Sequence, residues 1–193
     1  MRKRKDNELI YETALEIFAQ YGYKKTTLED IANKLNMSNS NIYSYAESKK
    51  SLYQDCVGYA ISKWKSKVFT AAEGIYDPAE KLLISFKKGS EFLSQDTVLC
   101  DILKNDPSIF PMFSTYGPLE KFNNCVIQYI CEIIKDGIRK DIFQNINAQD
   151  TAVVLFNIYK IFIIETYIRQ ENPTITKHLD TIVDLFQNGL LKR

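Results

Sequence analysis

The stretch from Asn36 to Lys49 contains the side chains best suited to recognition chemistry. Its sequence is NMSNSNIYSYAESK, in which small hydrogen-bonding residues and two tyrosines surround one branched aliphatic residue, Ile42. Asparagine can bond the edge of adenine, serine can bond a base or a phosphate, and a tyrosine hydroxyl can reach a phosphate while its ring covers a thymine methyl group. Because most of these side chains are unsuited to a core, the stretch predicts an exposed surface that binds through hydrogen bonds.

Patterns for catalysis or metal binding are absent from the sequence. The only histidine, His178, has no serine or cysteine nucleophile at a recognisable spacing. The four cysteines form no CxxC pair, and the five residues between Cys125 and Cys131 suit neither a zinc site nor a redox pair. There is no glycine-rich phosphate loop. We therefore predict that the protein is not an enzyme and that it uses no metal and no cofactor.

Charge is distributed unevenly along the chain. Residues 1–70 contain 12 Lys and Arg against 8 Asp and Glu, a net charge of +4, whereas residues 71–193 contain 13 against 16, a net charge of −3. A basic front end on a mildly acidic body is typical of a protein whose front end binds a polyanion. The initial run Arg2–Lys5 fits either a solvated tail or an arm that enters a minor groove, and the sequence leaves both open.

Helical periodicity predicts the elements that hold the polar stretch. Apolar residues recur at three- and four-residue steps along a first helix that Gly22 should end. A second helix should begin at a capping box made by Thr26 and Glu29. Asn36 tolerates the left-handed backbone of a tight turn, and Ser38 can cap a short third helix. The apolar stripe of the first helix consists of Ile10, Ala14, Ile17, Phe18 and Tyr21.

The rest of the chain is also predicted to be α-helical. A long fourth helix should run from about Ser48, with Leu52, Cys56, Ala60 and Trp64 buried, to a joint near Gly74–Pro78. Further helices should lie between breakers, and the last two are expected over Ala148–Arg169 and Thr174–Leu190. The most apolar stretch, Ala152–Ile164, contains Asn157 and Lys160, so a buried helix is a better interpretation than a membrane span. The breakers are Asn105–Pro107, Pro111, Gly117–Pro118, Gly137 and Asn172–Pro173.

Two short helices joined by a tight turn and supported by a third form a helix-turn-helix, whose second short helix enters the DNA major groove. The segments ALEIFAQYGYKKTTLEDIA and KLNMSNSNIYSYAESKKSLY resemble the DNA-binding domain of the TetR family of bacterial transcriptional regulators over about residues 8–55. Two positions depart from the family pattern, because Asn36 replaces the usual glycine of the turn and Ala46 the usual phenylalanine. The resemblance implies an all-α protein with a DNA-binding domain in residues 1–50 and a helical ligand-binding and dimerisation domain in residues 51–193, connected by the fourth helix.

The resemblance also implies roles for individual residues. Asn39, Ser40 and Asn41 are the candidates for base reading, and Thr27, Tyr43 and Lys49 are the candidates for phosphate contacts. Partial packing is the alternative for the tyrosines, and a merely solvated charge is the alternative for Lys49. The complete set of DNA-contact residues is Thr27, Ser38, Asn39, Ser40, Asn41, Tyr43, Tyr45 and Lys49.

In the C-terminal part, the resemblance implies an effector cavity and a dimer interface. The breaker-rich segment Ser108–Pro118 could gate the cavity, and the few charges nearby indicate an apolar, aromatic or acyl-like ligand, while the charge of its head group stays open. Candidate dimer contacts are Ile161, Phe162, Leu185 and Phe186. Candidate cavity residues are Phe86, Phe110, Met112, Phe113, Tyr116, Phe122, Tyr129, Phe156 and Tyr159.

Together these features predict a cytoplasmic homodimeric regulator. It is expected to be a repressor that a small ligand releases from a palindromic operator. Each helix-turn-helix reads only a few base pairs, so two must be held about 34 to 36 Å apart on DNA. The alternative is a helical ligand carrier or protein-interaction module that does not bind DNA.

Overall fold

The computed structural model describes residues 2–106, 118–169 and 175–191. Within these ranges the secondary structure is helical, apart from turns and one isolated antiparallel bridge between Phe143 and Leu191. The all-α prediction is confirmed. The helices are α1 (Arg2–Lys25), α2 (Leu28–Lys34), α3 (Asn39–Ile42), α4 (Lys49–Ala71), α5 (Pro78–Gln95), α6 (Thr97–Asn105), α7 (Pro118–Arg139), α8 (Ala148–Ile163), the π-helical turn Ile164–Arg169 and α9 (Ile175–Leu190).

The first helix supports the two short ones through its buried face. Ile10, Ala14, Ile17 and Phe18 are buried, as predicted, but Tyr21 is 55% exposed and does not belong to the apolar stripe. Its place next to Phe18 is taken by Tyr23 and Tyr53, whose ring centroids lie 6.1 and 4.9 Å from that of Phe18.

Gly22 interrupts α1 at the position where the sequence predicts the first helix to end. Gly22 takes a φ of 79°, which kinks the chain as expected of a glycine, but helical backbone resumes and continues to Lys25. The kink turns Thr26 into the interior, where its hydroxyl donates a hydrogen bond of 2.9 Å to the Gly22 carbonyl. Thr26 therefore cannot cap α2, and the predicted capping box is wrong by one residue. The observed box pairs Thr27 with Asp30.

The fourth helix connects the N-terminal helices to the body. Ser48 caps it, and the four residues predicted to be buried are buried: Leu52, Cys56, Ala60 and Trp64. The joint that follows contains Gly74 with a φ of 80°, and α5 begins at Pro78, which is preceded by the N-cap Asp77.

Helix α6 makes a second connection between the two parts. The Asn105 side-chain amide donates to the Ala19 carbonyl of α1 at 2.9 Å, and the Tyr53 hydroxyl donates to the Asp106 carboxylate at 3.2 Å. The body therefore touches the N-terminal helices at two places, through α4 and through α6. The predicted domain boundary between residues 50 and 51 falls within the first turns of α4 and stays a prediction.

Gly137 does not break a helix, contrary to the prediction. It lies inside α7, and a Cβ atom there would collide with the ring of Phe143. Its carbonyl accepts hydrogen bonds from the amides of Ile142 and Phe143 at 2.9 and 3.1 Å. Glycine is thus used for close packing near the end of α7. Within the described ranges, no helix combines the length and apolarity that a membrane crossing requires.

Candidate nucleic-acid interface and body cavity

Helix α3 is a single short turn that one residue anchors. Ile42 is fully buried, whereas its neighbours on the helix face outward. The turn before α3 depends on Asn36, whose φ of 53° confirms the predicted left-handed backbone. The next amide, that of Met37, bonds the Ala32 carbonyl at 2.8 Å and closes the end of α2. The buried isoleucine and this turn fix which side chains of α3 face solvent.

The predicted base-reading residues form one exposed face. Asn39, Ser40 and Asn41 are all exposed, and Tyr43 after them is 57% exposed. Ser38 precedes the helix in extended backbone, but its hydroxyl lies 3.0 Å from that of Ser40 rather than capping a backbone amide. These side chains are available to an external partner because their local hydrogen bonds are short-range and solvent-exposed.

Tyr45 differs from Tyr43. It is half-buried and packs against the core, next to the buried Ala46. The packing alternative therefore describes Tyr45 at least in part, while Tyr43 presents most of its side chain to solvent.

Thr27 is less available for a phosphate than predicted. Its backbone amide and its hydroxyl both donate to the Asp30 carboxylate at 2.7 Å, and its hydroxyl oxygen accepts from the Asp30 amide at 3.1 Å. The hydrogen bonds from Thr27 hold the pKa of Asp30 below its ordinary value. Because both donors of Thr27 are committed to the capping box, a phosphate contact from this residue would compete with the start of α2.

Lys49 is half-buried, and its side chain is bonded to the end of α1. Its ammonium group donates to the carbonyls of Tyr23 at 2.9 Å, Thr26 at 3.0 Å and Lys24 at 3.5 Å, and it lies 4.5 Å from the Tyr23 ring centroid. These bonds use all three ammonium donors. Lys49 therefore joins the end of α1 to the start of α4, and its phosphate contact stays a prediction.

The sequence contained a signal for this connection. Lysine at the first position of a helix is unfavourable next to the positive end of the helix dipole, whereas the carbonyl end of another helix attracts it. Other lysines between the end of α1 and the start of α4 are exposed: Lys24, Lys25, Lys34 and Lys50.

The body contains an apolar cavity of about 60 Å³ between α4, α5, α7 and α8. Predicted aromatic residues from three of these helices line it: Phe86, Phe122, Tyr129, Phe156 and Tyr159. Sequence periodicity did not identify the wall contributed by α4, which includes Trp64, Lys65 and Phe69. The spacing of the buried α4 residues indicated a core but not a void. The remaining cavity candidates lie outside the described residues, as does the segment expected to gate the cavity: Phe110, Met112, Phe113 and Tyr116.

Polar groups in the cavity wall are mostly bonded to the protein itself. The Tyr159 hydroxyl donates to the Phe86 carbonyl at 3.1 Å, and the Trp64 indole donates to the Gly89 carbonyl at 2.9 Å. The Tyr129 hydroxyl lies 3.1 Å from that of Ser85, and burial raises the Tyr129 pKa. Such a wall favours an apolar occupant.

The four dimer candidates separate into two groups. Ile161 and Leu185 are 46% and 66% exposed and can contact a partner. Phe162, in contrast, is 4% exposed, and Phe186 is half-buried with its ring centroid 6.1 Å from that of Phe86. Phe162 therefore belongs to the core of its own protomer, and of the pair Ile161 and Phe162 it is Ile161 that is exposed to a partner.

Known proteins resemble this chain at the sequence level. Residues 10–56 match the family model described as bacterial regulatory proteins, tetR family. The HTH-type transcriptional regulator YhgD of Bacillus subtilis (strain 168) is 24% identical over 185 residues, covering 96% of this chain and 94% of that protein. IcaR of Staphylococcus aureus (strain Newman), the HTH-type negative transcriptional regulator of the biofilm operon icaADBC, is 40% identical over 48 residues, covering 25% of this chain and 26% of IcaR.

Solved structures share the fold over nearly the whole chain. A putative transcriptional regulator from Saccharomonospora viridis in complex with choline has a TM-score of 0.76 with 18% identity, and the match covers 98% of this chain and 100% of that one. FadR from Bacillus subtilis in complex with stearoyl-CoA has a TM-score of 0.75 with 14% identity, and the match covers 93% and 97%. The helix-turn-helix geometry and the matched residues show that the chain carries the DNA-binding domain of the TetR family of bacterial transcriptional regulators, and the solved structures show that the whole chain shares the fold of such regulators.

Proposed function

We propose that the protein is a homodimeric repressor that binds a palindromic operator through α3 and releases it when an apolar ligand occupies the body cavity. The observation that carries the proposal is the exposed polar face of α3, which the fully buried Ile42 anchors. The negative regulator IcaR, 40% identical over the matched 48 residues, supports repression as the mode of action.

Within the interface, Asn39, Ser40 and Asn41 are proposed to read bases in the major groove. The exposed Tyr43 is proposed to contact a phosphate, and Ser38 lies at the start of the helix. Lys49 is proposed to position α3 by fixing the angle between α1 and α4, since its three donors are bonded to carbonyls at the end of α1.

Two reading helices must be held one turn of DNA apart, which requires a dimer formed by the body. Exposed apolar residues occur on the last helices, where Val154 and Ile161, two turns apart on α8, are 54% and 46% exposed and Leu185 on α9 is 66% exposed. We propose that this surface, Val154, Ile161 and Leu185, is the dimer contact.

Helix α4 provides the route from ligand to DNA. Trp64 and Val68 of α4 line the cavity, and Lys49 at the other end of the same helix is bonded to the end of α1. A ligand that fits only one position of α4 would shift the population of head arrangements and hence the DNA affinity. The second connection, from Asn105 to Ala19, would carry movement of α6 to α1.

The size of the cavity sets a condition on ligand entry. A volume of about 60 Å³ is well below the roughly 300 to 1,000 Å³ of sites that enclose drug-sized ligands. A ligand of that size must therefore displace aromatic side chains to enter, and this displacement is the proposed source of movement in α4. Related folds hold ligands as different as choline and stearoyl-CoA, which supports a ligand site without specifying its occupant.

Selection of bound sequences from a random DNA pool tests the proposed DNA recognition. The expected result is a palindrome with half-sites about 10 base pairs apart, bound with an affinity that falls steeply with salt. Asn41→Ala should reduce the binding free energy by about 1 to 3 kcal/mol through one base position of each half-site, and it should relax the base preference at that position. Recovery of no consensus, or full-affinity binding to a single half-site, would favour a body that carries ligand without regulating DNA.

Sedimentation of single aspartate variants tests the dimer. Ile161→Asp and Leu185→Asp should give folded monomers that lose operator binding, because an exposed side chain can be charged without disturbing its own protomer. Intact dimers for both variants would place the interface elsewhere.

A further inference from the structure

Lys65 is the unusual member of the cavity wall. Its side chain is half-buried, and its ammonium nitrogen lies 3.5 Å from the Cys125 sulfur and 5.8 Å from the ring centroid of Phe69. Within the described residues it has no carboxylate in ion-pairing distance. Lys63, two residues earlier on α4, is in contrast bonded to Glu12 at 2.7 Å.

A partly desolvated ammonium group without a counter-ion is unfavourable, so its position beside an apolar cavity suits a partner that arrives with the ligand. The surroundings of Lys65 provide room for one. Lys65 and Phe122 line both the apolar cavity and an adjoining open cleft of about 360 Å³ between α4 and α7. The cleft contains a second cation, Lys121, and one carboxylate, Asp55.

We propose that Lys65 binds the anionic head group of the effector, whose apolar tail enters the cavity beside Trp64 and Phe156. This inference rests on the proposed effector function and adds the ligand's class: an amphiphile with a carboxylate or phosphate head. Lys121 assists from the exposed side of the cleft, while Asp55 limits the site to one anionic group near Lys65. A cationic amphiphile is disfavoured because its head would meet the Lys65 ammonium in a partly desolvated setting.

The cavity itself supplies the readout for a test. Trp64 is the only tryptophan in the chain, and it lies in the cavity wall, so its emission reports occupancy directly. Octanoate, octyl phosphate, octanol and octylammonium, each below its micelle concentration, present the same tail with different heads. The two anions should bind at least about tenfold more tightly than octanol, and octylammonium should bind most weakly.

Charge-removing variants locate the effect. Lys65→Met keeps the side-chain length and should weaken both anions about tenfold without changing octanol, whereas Lys65→Arg should retain anion binding. Lys67→Met is the matched control, because Lys67 is exposed on the same helix and lines a different groove. Thermal unfolding of each variant confirms that the fold is intact, and operator release in a gel shift shows whether binding is regulatory.

The outcomes separate this inference from the function on which it rests. If octanol and the anions bind equally, or if Lys65→Met behaves like Lys67→Met toward octanoate, the head-group site is overturned while the effector cavity stands. If none of the four compounds alters Trp64 emission or releases DNA, both proposals fall. A preference between octanoate and octyl phosphate, with both above octanol, supports the site and identifies which anionic head it accepts.

Discussion

The reading head, α1 to α3, and the body, α5 to α9, use side chains in opposite ways. In the head, a four-residue helix exposes its polar side chains and depends on one buried residue, Ile42. In the body, aromatic side chains turn inward and, with α4, enclose a small cavity. The head therefore presents its polar side chains on the surface with little packing behind them, while the body places its aromatic side chains inside the packing. Substitutions should separate binding from stability in the head and couple them in the body.

The largest effect is expected at the anchor of α3. Ile42→Ala removes a fully buried side chain and should lower the free energy of unfolding by about 2 to 5 kcal/mol, with loss of operator binding. The neighbouring Tyr43→Ala should change the unfolding free energy by less than about 0.5 kcal/mol and still weaken DNA binding, because Tyr43 is largely exposed. Urea unfolding and a gel shift measure the two quantities. Equal destabilisation by both variants would show that the surface and the anchor are not separable.

Two glycines test how tightly the chain is packed outside the head. A Cβ at Gly137 would collide with the Phe143 ring, so Gly137→Ala should cost about 1 to 3 kcal/mol of stability. Gly58 lies inside α4, and no atom of another element lies within 4 Å of the place that a Cβ would take, so Gly58→Ala should add about 0.5 to 1 kcal/mol by its helix propensity. Thermal unfolding of the two variants measures these changes in stability. If Gly137→Ala left the stability unchanged, the Phe143 ring would be able to move away from the added methyl group.

The same contrast explains how much the sequence could predict. The head is contiguous, so spacing alone located the anchor Ile42, the left-handed Asn36 and the exposed Tyr43. The cavity is assembled from residues far apart in the chain, such as Phe86 and Tyr159. Composition could indicate an aromatic interior but could not identify the α4 wall or the size of the void. The void depends on how four helices pack, which local periodicity does not contain.

Predictions within the head were least secure where a side chain had two possible partners. Thr26 and Thr27 both fitted a capping box, and the kink at Gly22 decided between them. Lys49 fitted a phosphate contact by resemblance, but carbonyls at the end of α1 lie within its reach. In both cases the deciding group belongs to another element, which the local sequence does not reveal.

A smaller effect should distinguish Lys49 from its neighbour Lys50. Lys49→Met removes three hydrogen bonds to the end of α1 and should lower the free energy of unfolding by about 1 to 2 kcal/mol. It should also weaken binding to all DNA sequences by a similar factor, with little change in the salt dependence of binding. Lys50→Met should leave stability nearly unchanged and reduce the log–log salt slope by about one for each phosphate that Lys50 neutralises, because Lys50 is exposed. Unfolding curves and affinities at several salt concentrations measure both. If Lys49→Met reduced the salt slope and Lys50→Met reduced the stability instead, Lys49 would be the residue that contacts a phosphate.

The smallest effect concerns the surface pair that ties α1 of the head to α4. The Glu12 carboxylate accepts hydrogen bonds from Lys63 at 2.7 Å and from the Tyr59 hydroxyl at 3.1 Å, and the bond from Lys63 lowers the pKa of Glu12. Since both charged side chains are about half exposed, screening should limit the loss in Glu12→Gln to about 0.2 to 1 kcal/mol. A carboxyl group whose pKa is lower in the folded state than in the unfolded state stabilises the fold at any pH above its unfolded pKa, which is about 4.3 for glutamate. This stabilisation is lost as the pH falls through the folded-state pKa. Wild-type and Glu12→Gln unfolding free energies should therefore differ at pH 7 and low salt, and should converge both in acid and in high salt. A difference that persists below the pKa of Glu12 would show that the side chain acts through packing rather than through its charge.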